Sequence, residues 1–355
     1  MSSAKNVKVS RDEKNWEFVL EAELPADVVQ KYRAEALKDI GRNAQIAGFR
    51  PGHVPETVLI KQYGETAILN EAAELAVKSE LPEILAEEKA NIVEAPRVSV
   101  DTPVAGSPLK FSARAPLAPE IKLPDYKGIA KKMVAKKEVI TVSDDEHKDT
   151  TIHLRRERAR IEKIEAGAAP DKALEEAQKA EEKDLPALDD EFVKSLGYES
   201  AEDFSNKLRE HIKTEKELGA KNKFRAELLE ALVKDSRISY PSMLREYELD
   251  DMEGRLQSDV ERMGKKLDSY LAETKKTREQ LRAEWKDAAD KRAKIRLVLS
   301  EIARQEKVEA DPEKLAHEFE HAKKHHPQAD PDALHAHLSH ALRNEQVLDW
   351  LEKQG

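Results

Sequence analysis

Over the first 118 residues the spacing of apolar positions changes several times, and each change marks an element. Lys5–Ser10 and Trp16–Glu23 alternate apolar and polar residues around a polar Arg11–Asn15, which predicts a β-hairpin. Pro25 then opens a helix predicted to run to about Ile40, with Val28, Val29, Tyr32, Ala36 and Ile40 on one face. Val58–Tyr63 predicts a short helix closed by Gly64, and Ile68–Glu88 a longer one. Asn91–Val100 and Leu109–Ala115 predict two further strands.

From Ile121 to Leu185 the character changes. KGIAKKMVAKKEVITV predicts a Lys-rich extended segment with Ile129, Met133 and Val139 as its apolar positions. Ser143–Glu146 has the form of a capping box and opens a charged helix to about Glu165. AGAAPDKALEEAQKAEEKDLP then has the composition of a linker. Beyond Asp189 the pattern is helical, with helices beginning near Ala201, Ser242, Thr277, Pro312 and Pro331. The predicted fold class is α+β: an α+β module over residues 1–118, a connector over 119–188 and an all-helical region over 189–355.

One stretch departs from this helical background: AGFRPGHVP, Ala47–Pro55. In Arg50-Pro51-Gly52-His53 the proline fixes φ at the second turn position and the glycine accepts positive φ at the third, which predicts a type II turn. Pro55 suits the first turn of the following helix. Such a loop presents Phe49 and Arg50 to solvent.

Composition narrows what they could meet. The 355 residues are 39% hydrophobic, 37% charged and 5% aromatic, a balance that predicts long solvated helices. With no cysteine, disulfides, thiol nucleophiles and cysteine metal sites are excluded. A net charge of −10 excludes broad coating of nucleic acid, so contact with a nucleic-acid machine would be made by a tip. The amino terminus lacks the pattern of a secretory signal and no apolar run is long enough to cross a bilayer, so a soluble cytoplasmic protein without membrane contact is expected.

The loop Gly48-Phe49-Arg50-Pro51-Gly52-His53-Val54-Pro55 resembles the ribosome-docking signature of the trigger factor family, bacterial chaperones that meet nascent chains at the ribosome exit tunnel. IKQYG (Ile60–Gly64) is similar to the family's continuation, and LPALDDEFVKSLG (Leu185–Gly197) to the opening of its helical carboxy-terminal domain. The resemblance implies a ribosome-binding module, a connector and a helical client-binding domain with arms. It also implies ATP-independent holding of nascent and unfolded polypeptides, with a possible part in export and no cofactor. Gly48 to His53 would dock on an exit-tunnel protein and adjoining RNA, with Arg50 as charged and Phe49 as aromatic anchor. Pro51 and His53 stand where the family usually has basic residues. The family commonly carries a prolyl isomerase domain of the FK506-binding type with an aromatic-lined pocket. No aromatic residue lies between Tyr126 and Phe192, so that domain and its enzymatic activity are expected to be absent. Whether the free protein is a monomer or a homodimer stays open.

Three other patterns carry candidate chemistry. HEFEH matches the zinc-protease spacing, with His317 and His321 as ligands and Glu318 as base, and defines a zinc peptidase as the alternative function. Seven of the eleven histidines fall between His317 and His340, where chance matches are easy, so the expectation is no metal site. The Lys-rich segment lacks the interleaved aromatics of single-strand binders and reads as a connector. Met243, Tyr247, Met252, Leu256, Val260 and Met263 recur near helical spacing and supply either core or an adaptable client surface. A ribosome-independent helical holdase is the third function.

Overall fold

The computed structural model describes residues 2–47, 49, 50, 52–137, 139–325 and 327–354. In chain order the elements are β1 (Lys5–Asp12), β2 (Glu17–Leu24), α1 (Ala26–Asn43), α2 (Glu56–Tyr63), α3 (Glu65–Glu87), β3 (Arg97–Val100), β4 (Leu109–Pro116) and β5 (Glu120–Lys122). They continue with α4 (Tyr126–Val134), α5 (Asp144–Glu165), α6 (Pro170–Lys179), α7 (Asp190–Ser195), α8 (Ala201–Asp235) and β6 (Arg237–Ser239). The chain closes with α9 (Met243–Arg262), α10 (Leu267–Thr274), α11 (Arg278–Glu306), α12 (Pro312–His325) and α13 (Pro331–Glu352). The fold class is α+β, and the chain divides into two compact units.

The first unit comprises Met1–Pro124 and Val233–Glu309. Its sheet has the antiparallel order β1-β2-β4-β3, with Leu20 opposite Ala113 and Ala22 opposite Phe111. Alternation puts Phe18, Leu20, Ala22 and Leu24 of β2 and Leu109, Phe111 and Ala113 of β4 into the core that α1 and α3 cover. Alanines at the contact (Ala36 of α1; Ala72, Ala73 and Ala76 of α3) let the two helices approach closely. The second segment of this unit joins the first through β5, which pairs Ile121 with Ile238 of β6, and within it α9 packs on α11. Glu248, buried to 2% exposure, is neutralised by Arg292 at 3.1 Å and Arg296 at 3.0 Å.

The second unit comprises Asp125–Leu232 and Ala310–Gly355. Here the Lys-rich segment departs from the extended conformation expected of it. Tyr126–Val134 is helical, started by the Asp125 carboxylate accepting from the Gly128 N–H, and buries Tyr126 and Ala130 one turn apart. Ile129 and Met133 are also four residues apart, which is helical spacing rather than strand alternation. The expected linker is likewise largely helix. Pro170 occupies the first turn of α6, and Ala173 and Ala177 are buried. Ala, Glu and Lys are strong helix formers, and a low-complexity run of them with alanine every fourth residue makes a packing stripe. α6 packs on α5, and the Arg155 guanidinium donates to the carbonyls of Glu182, Leu185 and Pro186, clasping the following segment. The capping box at Ser143 and Glu146 is formed as expected. α8 buries Phe224, Leu228 and Leu232, and Arg225 pairs with Asp349 and Glu352 of α13.

Candidate docking loop and apolar surface

α1 ends where the Ala44 N–H bonds the Ile40 carbonyl and Ala44 turns extended. The chain then folds back. The Phe49 N–H donates to the Ile46 carbonyl at 3.1 Å and the His53 N–H to the Arg50 carbonyl at 3.0 Å. That second bond, with Gly52 at φ +82°, has the form of the expected turn. A third bond ties the turn to the scaffold, from the Gly52 N–H to the carbonyl of Gly41 in α1 at 2.8 Å. Gly41 is buried, and a side chain there would press on Leu59 of α2, so glycine lets α2 close on α1. Pro55 precedes α2, its carbonyl accepting from the Val58 and Leu59 N–H groups.

The loop's side chains are left over from this backbone economy. Phe49 is 40% exposed, and Arg50, Gly52 and His53 are exposed. The Arg50 side chain makes no hydrogen bond or ion pair with any described residue. Of the predicted docking residues, Gly48 and Pro51 lie outside the described residues.

A clamp that sequence reasoning missed holds the helices around the loop. Arg33 of α1 donates from Nε and Nη2 to both carboxylate oxygens of Glu65 at 2.8 and 3.0 Å, and from Nη1 to Glu56 at 2.7 Å. One guanidinium thus joins the first turns of α2 and α3 to α1. The hydrogen bond to Glu65 raises the Arg33 pKa, with Glu56 adding to it, and Arg33 in turn holds the Glu65 carboxyl below the ordinary range. The sequence signal was no more than an arginine on an otherwise apolar helix face.

The α9 residues divide. Val260 is core, at 1% exposure, and Leu256 packs against the cluster of Leu267, Leu271 and Leu281. Met243 and Met252 are half-buried, whereas Tyr247 is 51% and Met263 72% exposed. The Tyr247 hydroxyl donates to Glu94 at 2.9 Å. Met243 lines a recess with Glu94, Arg97 and Pro116, beside the edge strand β3.

His317, Glu318 and His321 stand on α12, which has no buried residue. His317 Nδ1 lies 3.5 Å from the Glu318 carboxylate. Among the described residues no three His, Cys, Asp or Glu side chains gather as a metal site, and no helix is long and apolar enough to cross a membrane.

Comparison with known proteins matches residues 5–154 to the family described as bacterial trigger factor protein, and residues 200–353 to the bacterial trigger factor protein C-terminus. The trigger factor of Shouchella clausii is 25% identical over 375 residues, covering 85% of this chain and 86% of that protein. The trigger factor of Bacillus pumilus is 24% identical over 387 residues, covering 88% and 90%. A solved structure described for promiscuous substrate recognition in folding and assembly by the trigger factor chaperone shares the fold, with a TM-score of 0.56 at 18% identity over 98% of this chain and 99% of that one. With models of one family matching both ends of the chain in order and the fold shared along nearly its whole length, the chain belongs to the trigger factor family of chaperones.

Proposed function

We propose that this chain docks at the ribosome exit tunnel through the loop around Phe49 and Arg50 and holds nascent and unfolded polypeptides in the cytoplasm without ATP. The observation that carries the docking is an exposed aromatic and an unpaired arginine on a loop whose backbone is bonded to α1. A side chain held out at little ordering cost, with no internal partner to give up, suits a small contact dominated by one or two residues. Charge-assisted bonds from Arg50 to phosphate or carboxylate would supply the polar part.

Clients are held by the exposed members of the α9 stripe, Tyr247 and Met263, with Met243 and Met252 half-covered beside them. Leu256 and Val260 support that surface from the packed side. Methionine's flexible, polarizable side chain accepts varied partners. Prolyl isomerase activity is absent. In support, the apolar cluster that joins α5, α6 and the segment after them consists of Ala159, Ala177 and Leu185, with no aromatic among its described members.

Co-sedimentation with ribosomes tests the docking. Phe49→Ala with Arg50→Ala should weaken binding by roughly 30-fold, the loss of one hot-spot contact, while the circular dichroism stays unchanged. A folded double variant that binds as the wild type does would sink the assignment.

A further inference from the structure

The histidines of α12 are absorbed neither by docking nor by holding. We infer that α12 carries a site for a borderline divalent transition metal, with the imidazoles of His321 and His325 as its two protein ligands. Residues four apart lie one turn apart on one helix face. Here the two rings have centroids 4.7 Å apart and planes inclined at 52°. With metal–nitrogen bonds of about 2.0–2.1 Å, each ring centroid would sit roughly 3.2 Å from the metal. Two such rings are then roughly 4.5 Å apart at a right angle and roughly 5.2 Å apart at a tetrahedral angle. The observed separation falls between these values, so the spacing of the two rings is that of two imidazoles on one ion.

Both side chains are exposed, and neither makes a hydrogen bond or ion pair with a described residue, so binding breaks no internal contact. Imidazole donors favour nickel, copper and zinc over magnesium and calcium. The pair differs from the protease pattern, which would join His321 to His317. His317 instead lies beside Glu318, and its ring makes no close contact with that of His321. Among the described residues no third donor gathers there. The site is one of capture at the surface.

Isothermal titration of the full chain with Ni²⁺ at neutral pH tests this. His321→Ala and His325→Ala should each lower affinity by about 10-fold or more, at least the loss that follows removal of a mere supporting partner. His317→Ala should change it less than about twofold. Unchanged affinity in His325→Ala overturns the assignment, as does a loss in His317→Ala as large as that in His325→Ala. α12 buries no side chain, so the three variants keep the fold, and circular dichroism checks that they do.

Discussion

In the loop, Phe49 and Arg50 face solvent because the backbone beneath them is committed elsewhere, to Ile46, to the turn itself and to Gly41 of α1. In α9 the backbone is satisfied within the helix, and exposure depends on what packs alongside. Val260 is 1% exposed, and Met263, three residues on, is 72% exposed. A spacing that looks uniform in sequence therefore mixes core and surface, whereas Phe49, Arg50, Gly52 and His53 of the loop are all exposed. Exposed side chains on a pinned loop can change freely. In the helix, function and stability are interleaved residue by residue.

The sharpest way to break that contrast is inside α9. Val260→Ala removes two buried methyl groups and should destabilise the packing of α9 on α11 by about 2.5 kcal/mol, counting transfer and a partly collapsed cavity. Met263→Gln, at the carboxy-terminal cap of the same helix, should leave stability within about 0.5 kcal/mol and weaken suppression of client aggregation. Hydrogen exchange over α9 and α11 reads the first effect and light scattering of an unfolding client the second. Equal stability of the two variants would show that the burial gradient along α9 means nothing.

The loop is probed next through Gly52. Its φ of +82° is unfavourable for a side chain, but a Cβ there would meet nothing within 4 Å. Gly52→Ala should thus cost about 1–2 kcal/mol from backbone conformation alone. The strain passes to α1 through the bond to the Gly41 carbonyl, and ribosome affinity should fall with it. Asparagine tolerates positive φ better, so Gly52→Asn should recover much of the loss. If alanine and asparagine behave alike, the loop is not held by its backbone.

What could be read in the sequence follows the same division. The β1–β2 hairpin, the helices α1, α8, α9, α11, α12 and α13 and the turn at Gly52 are local, and residues within a few positions specify them. β5 and β6 have three residues each, and Ile121 finds Ile238 far along the chain, so no local pattern announces the pair. α10 ends at Lys275 in the left-handed conformation without the glycine that usually marks such a stop. In α4 and α6 the helical spacing was present, but lysine and alanine richness looked like connector. Of the docking loop, its turn and its exposed tip were legible. The clamp beneath it was not, because Glu56 and Glu65 lie 23 and 32 residues from Arg33 and only the fold brings them together.

That clamp allows the finest test of how the loop region is held. Arg33→Met keeps the aliphatic stem and removes the charge, leaving Glu56 and Glu65 without their common partner. Both carboxylates are substantially exposed, at 52% and 43%, so solvent screening limits the cost to about 1 kcal/mol. The pH dependence is more diagnostic than the size. Arg33 holds the Glu65 pKa below its unfolded value, so this contribution is complete above the ordinary glutamate range near 4.3 and fades as pH falls through the lower folded value. Below that, both states bind the proton and the stabilisation is gone. Glu65→Gln should therefore exchange faster than wild type over α1 and α3 at neutral pH, and the gap should close in strong acid once corrected for intrinsic rates. A gap that persists unchanged into acid would mean that the ion pair with Arg33 is not what Glu65 contributes, and that the helices around the loop are held by packing alone.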